Sequence, residues 1–249
     1  MIQDLHSHTY YSIDAEGSPE EVVRAALDGG IEMIGITDHN YWVGYGRYDF
    51  LTMPDAAQYS GTYGRNLRKY FDHINLVKEK YAGMIDVKRG IEICTHRDGA
   101  WPLCLPDGED ISYFDFCILE SVDAKSSVTK GDVFSYAKRC ETPYVGIAHT
   151  DMFKFIRNNR HDPLEYFSRM AENGIFWEMN VNFDPTHGYH VHEYVTEFFS
   201  NEKEQEIVRN SGLRVSIGFD GHKVKDYLPQ RVCDFNERLS ELGIKKPFE

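Results

Sequence analysis

Histidine, aspartate and glutamate recur in this chain at the ends of short apolar runs. The first case is Asp4-Leu5-His6-Ser7-His8. Side chains alternate along a strand, so two histidines one residue apart aim both imidazoles to the same side. Two imidazoles converging on one point begin a metal site. Asp14 follows shortly after. The same grammar returns in Thr37-Asp38-His39-Asn40, in Glu92 within Gly90-Ile91-Glu92-Ile93, and in Glu120-Ser121-Val122-Asp123. It closes with His149-Thr150-Asp151, Asn180-Val181-Asn182 and Asp220-Gly221-His222. Imidazoles mixed with carboxylates suit Zn, Mn or Fe better than Ca or Mg. Glu92 sits inside an apolar run, where an unpaired charge is costly, so a cation partner is expected. Asp38 could cap a helix or hold the His39 ring from behind, and the second role is preferred. His149 could be a satisfied core histidine, but its company favours a ligand. His73, His96, His161, His187, His190 and His192 fall outside the pattern and read as surface or loop residues, with His96 expected to border the pocket.

These residues need elements to position them. Seven apolar, β-rich runs are visible: 1–5, 31–37, 85–94, 114–121, 144–148, 175–181 and 213–219. Between them lie helical patterns. Ser18-Pro19-Glu20-Glu21 has the form of a capping box and opens a helix to about Asp28. Further helices are expected from Asn66 to Tyr81, Asp132 to Cys140, Asp162 to Glu172, His192 to Asn210 and Asp226 to Leu242. Strands alternating with helices imply right-handed parallel βαβ units. Seven of them suggest a closed α/β barrel, with an open doubly wound sheet as the alternative. In either layout the chemistry belongs at the carboxyl ends of the strands.

Composition narrows the function classes. A chain of 249 residues, 41% hydrophobic, is expected to form one domain over 1–249. A formal charge of -13 repels phosphate backbones, which makes nucleic acid an unlikely partner. Part of the acid excess can be ligand carboxylates offset by bound cations. The absence of an apolar run long enough for a signal core or membrane span points to a cytoplasmic protein. The five cysteines form no C-x-x-C pair and read as reduced core thiols.

In order and spacing, His6-x-His8, Asp14, Asp38-His39, Glu92, His149 and Asp220-x-His222 resemble the PHP superfamily, the polymerase and histidinol phosphatase phosphoesterases. The resemblance runs through essentially the whole chain. It implies a distorted seven-stranded (β/α)7 barrel holding two or three divalent transition metal ions (Zn, Mn or Fe). One ion would take His6, His8, Glu92 and Asp220; a second would share Glu92 and use His149; a third would take Asp14, His39 and His222. The family usually supplies a histidine to the second ion from a Gly-Ser-Val-His stretch. Here that stretch reads Glu120-Ser121-Val122-Asp123. Asp123 could bind instead, favouring a harder ion, or the second position could be weak or empty.

The activity so implied is hydrolysis of a phosphate monoester on a small metabolite, histidinol phosphate being a candidate, by a hydroxide bridging the ions, with inorganic phosphate as product. Asp123 or Asp151 could protonate the leaving group. Arg97, Lys154 and Arg157 could hold the substrate, Arg157 being preferred. Two loops, 40–63 and 182–192, would shape specificity, the first as a lid. Three rivals remain: a PHP-type exonuclease or phosphodiesterase, an amidohydrolase-type C–N hydrolase, and a metal-binding domain without catalysis.

Overall fold

The computed structural model describes residues 1–46, 60–99 and 101–249. The strands are β1 (Gln3–Asp4), β2 (Met33–Ile36), β3 (Asp86–Arg89), β4 (Glu92–Cys94), β5 (Cys117–Glu120), β6 (Val145–Ile147), β7 (Ile175–Asn180) and β8 (Val215–Gly218). They pair in parallel as two sheets, β1-β2-β3 and β4-β5-β6-β7-β8. Hydrogen bonds close both seams. Leu5 N–H donates to the Ile217 carbonyl at 2.9 Å, and Glu92 N–H to the Asp38 carbonyl at 3.1 Å. β3 and β4 are the single expected run 85–94, broken at Gly90-Ile91. A Cβ at Gly90 would lie 2.7 Å from both Phe116 and Thr37, so the chain can pass there only as glycine. Counted through that break, the molecule is the distorted seven-stranded barrel.

Period-two alternation sorts the strand residues. Ile147, Trp177 and Ile217 face out and pack under the helices. Leu5, Met33, Phe116, Ile118, Ala148 and Phe176 face in and form a separate apolar plug. Removing a plug ring, as in Phe176→Ala, should cost about 3–5 kcal/mol.

The helix Pro19–Asp28 begins at Ser18 with the complete capping box. Asp132, Asp162 and Asn201 cap other helices by accepting backbone N–H bonds of the first turn on their side-chain oxygens. Four expectations need correction. The helix expected from Asn66 starts earlier, spanning Ser60–Lys80. The stretch expected as one helix over 192–210 is two, Glu193–Phe198 and Glu202–Ser211, because the Asn201 side chain caps a new start. The last helix begins at Pro229 rather than Asp226, with a short 3-10 turn Val224–Asp226 before it. The expected lid 40–63 is partly helical, Asn40–Tyr45 and the start of Ser60–Lys80; the rest of it, residues 47–59, lies outside the described residues. No helix among the described residues is long and apolar enough to cross a membrane.

Candidate metal centre

Above the plug, the same alternation delivers polar groups to one level. On β7, Phe176 faces in, then Glu178, then Asn180. On β5, Ile118 is followed by Glu120, and beyond β8, Gly218 is followed by Asp220. Gly218 is glycine because a Cβ there would lie 2.0 Å from the Glu178 carboxylate. His149 (φ 25°), Asp220 (φ 56°) and Ser121 (φ 60°) all hold left-handed backbone at strand ends. Such residues cost of order 1–3 kcal/mol each and persist where surroundings fix them. Here His149 N–H donates to Glu178 Oε2 at 2.7 Å, and Asp220 N–H to the His6 carbonyl at 2.7 Å.

His6 Nε2 and His8 Nε2 face each other at 3.0 Å. Asp220 Oδ1 lies 3.0 Å from His8 Nε2 and 3.3 Å from His6 Nε2. Glu92 oxygens lie 3.4 Å from His6 Nε2 and 3.5 Å from His8 Nε2. All four residues are buried. Ligands placed about 2.0–2.2 Å from a transition metal stand roughly 3–3.5 Å apart, which is the spacing found. His149 Nε2 approaches Glu92 Oε1 at 3.3 Å from the other side. Asp14 Oδ2 lies 3.6 Å from His39 Nε2 and 3.9 Å from His222 Nε2. His39 Nδ1 and Glu92 Oε2 are 2.8 Å apart, yet neither makes a well-directed hydrogen bond. Buried polar atoms left unpaired in this way fit a cation.

The electrostatics agree. Burial opposes charge on His6, but Asp220, Glu178 and Glu92 outweigh it and push its pKa well up. Burial, reinforced by His222 and His39, lowers His8 to about 3, so it stays neutral. Burial likewise opposes charge on His149, but the Glu92 carboxylate raises it to about 9. Burial would raise Glu92 and Asp220, yet His6 and its neighbours hold both well below the usual carboxylate range. Protonated His6 and His149 thus supply positive charge to the buried carboxylates.

The structure thus brings together His6, His8, Asp14, His39, Glu92, His149, Asp220 and His222. It sets Asp123 apart: that side chain is exposed and lines a different cleft, of about 360 Å³, with Asp151 and Lys154. Asp151 caps the helix Met152–Asn158 through Lys154 N–H at 2.9 Å. Arg157 is exposed, 3.9 Å from Glu204. Arg97 is exposed as well. Asp38 does not hold the His39 ring; it accepts hydrogen bonds from Thr9 and Ser12 and so fixes the loop leading to Asp14. His96 hydrogen-bonds Ser126, outside the cleft lined by the metal-type residues.

Some groups at the site were not singled out from sequence. Glu178 is buried and accepts from His6 Nδ1 at 2.7 Å. It lies in the apolar run Ile175-Phe-Trp-Glu-Met-Asn, the same signal that marks Glu92. His187 Nε2 lies 3.3 Å from Asp220 Oδ2, with Nδ1 held by buried Asp184 at 2.9 Å. With His192 it lines the cleft of about 260 Å³ over Glu92 and Asp220.

A closed α/β barrel with imidazoles and carboxylates buried at the carboxyl ends of its strands defines a metal-binding protein of the hydrolase type. The chain matches the PHP domain over residues 4–222 and belongs to that family. A "Probable phosphatase" of Acetivibrio thermocellus is 27% identical over 230 residues, covering 89% of this chain and 80% of that protein. A "Probable histidinol-phosphatase" of Deinococcus radiodurans is 31% identical over 96 residues, 37% of this chain and 32% of that protein's length. The crystal structure of histidinol phosphate phosphatase from Lactococcus lactis, complexed with Zn, L-histidinol and phosphate, shares the fold: TM-score 0.54 at 17% identity, covering 98% of this chain and 94% of that one.

Proposed function

We propose that the chain is a metal-dependent phosphomonoesterase acting on a small metabolite. The observation that carries this is that His6 Nε2 and His8 Nε2 face each other at 3.0 Å, with Asp220 Oδ1 and the Glu92 carboxylate oxygens 3.0–3.5 Å from them. His149 extends the set on one side, and Asp14, His39 and His222 on the other. Bound divalent ions would supply Lewis-acid polarisation of the phosphoryl group and an activated water near neutral pH. Among the described residues, no Lys or Arg lines the cleft above them. Bound metals would therefore supply most of the positive charge that meets a phosphate dianion there. Glu178 and Asp184 fix the imidazoles of His6 and His187. A cleft of about 260 Å³ suits a small monoester, and the -13 charge disfavours a polynucleotide.

Histidinol phosphate is the first candidate, since two of the proteins this chain is similar to are named as histidinol phosphatases, one of them as "Probable histidinol-phosphatase". The test is phosphate release by Mn-, Fe- and Zn-loaded protein from histidinol phosphate, sugar phosphates, nucleoside monophosphates and an aryl phosphate. Turnover of one or more, lost on chelation, supports the reading. No release from any would contradict it and direct attention to oligonucleotides or to a non-catalytic metal-binding role.

A further inference from the structure

We propose that Glu120, rather than Asp123, is a metal-binding carboxylate beside Glu92, in a position formed with His39 Nδ1 that is oxygen-rich and suited to Mn or Fe over Zn. The inference rests on the metal reading above and goes beyond it in assigning a ligand.

Three observations carry it. The first is register. β5 pairs with β4 so that Glu92 stands opposite Ile118 and Cys94 opposite Glu120. Ile118 belongs to the inward plug, so Glu120, two residues on, also faces in. Thr95 pins its carbonyl with N–H at 3.2 Å and Oγ1 at 2.8 Å. The second is placement. The Glu120 side chain is 14% exposed, with Oε1 3.6 Å from His39 Nδ1. Ligand atoms of His39, Glu92 and Glu120 all lie within 4.8 Å of one another. The third is the incomplete pairing there. Glu92 Oε2, fully buried, lies 2.8 Å from His39 Nδ1 without a well-directed hydrogen bond and belongs to the same group of ligand atoms as Glu120. Asp123 meets none of these conditions. The chain turns at left-handed Ser121, Ala124 N–H closes the turn onto the Ser121 carbonyl at 3.2 Å, and Asp123 is carried out to the surface.

Carboxylate oxygen in place of imidazole nitrogen moves the preference from Zn toward harder divalent ions. The test is metal content after equilibration with Mn and desalting, read by elemental analysis, with electron paramagnetic resonance of the Mn-loaded protein. Wild type, Glu120→Ala, Glu120→Gln, Glu120→His and Asp123→Ala are compared, with circular dichroism confirming that each is folded. We expect Glu120→Ala and Glu120→Gln to hold one Mn fewer than wild type and to lose the spin-coupled signal of neighbouring ions. Glu120→His should regain the ion and bind Zn in preference, and Asp123→Ala should match wild type. Glutamine can still accept a hydrogen bond from His39, so a full metal count in Glu120→Gln would overturn the proposal in favour of a positioning role. Loss of an ion in Asp123→Ala would also overturn it. A wild type that binds no Mn, Fe or Zn at all would sink the underlying metal reading instead, a result distinct from either.

Discussion

Glu178 Oε1 accepts a hydrogen bond from His6 Nδ1 at 2.7 Å, and this leaves His6 Nε2 facing His8 Nε2 across 3.0 Å. A carboxylate behind a ligating imidazole fixes the tautomer and raises the basicity of the far nitrogen. Glu178→Gln weakens that support while keeping the shape. We expect metal affinity to fall about 10–100-fold, read by chelator competition, with the fold unchanged. Unchanged affinity would show that Glu178 serves only to hold the His149 backbone.

Gly218 protects the same carboxylate. An added Cβ would lie 2.0 Å from Glu178 Oε1 and 2.7 Å from the His6 Cβ. Gly218→Ala must therefore displace one or both. Metal affinity should fall at least as far as in Glu178→Gln, about 10-fold or more, with a lower melting temperature. Calorimetry of apo and metal-loaded protein measures both effects.

Metal binding should release protons. His149 is raised to about 9 in the folded protein from an ordinary 6.5. At pH 7 it carries a proton that a metal must displace, so apparent affinity rises with pH up to about 9. The sign for the metal-free protein is opposite. The His149 pairing contributes stability that is fully present below pH 6.5 and is lost as pH rises through about 9. Isothermal titration at pH 7 in buffers of different ionisation enthalpy counts the protons. Melting of the apo protein between pH 6.5 and 9 checks the second half. A metal titration with no proton release would contradict the protonated apo site.

The exposed residues favoured from sequence as substrate groups should matter little. Arg157 is 57% exposed and 3.9 Å from Glu204, an arrangement worth about 0–1 kcal/mol. Arg157→Ala should leave kcat and KM for a turned-over monoester within about twofold of wild type. A tenfold rise in KM would restore Arg157 to the site.

The barrel and most of its polar floor were legible because both follow period-two alternation. Glu92 in an apolar run could be read as buried and cation-paired, and the identical logic applied to Glu178. Asp123 was matched to a family stretch by position, whereas inward parity from Ile118 points Glu120, not Asp123, into the barrel. His187 lies in the loop 182–192, where no repeat period fixes direction, and only the fold brings it to Asp220. The helix break at Asn201 was hidden for a similar reason: a capping side chain interrupts an otherwise continuous amphipathic pattern.

The most direct test of the whole is phosphate release from histidinol phosphate by chelator-treated protein to which Mn is returned stepwise. We expect no turnover in the apo protein, activity rising with added Mn to a plateau, and none at any Mn concentration in Asp220→Ala. Equal turnover with and without metal, or full activity in folded Asp220→Ala, would contradict a reaction centred on the His6, His8, Glu92 and Asp220 cluster.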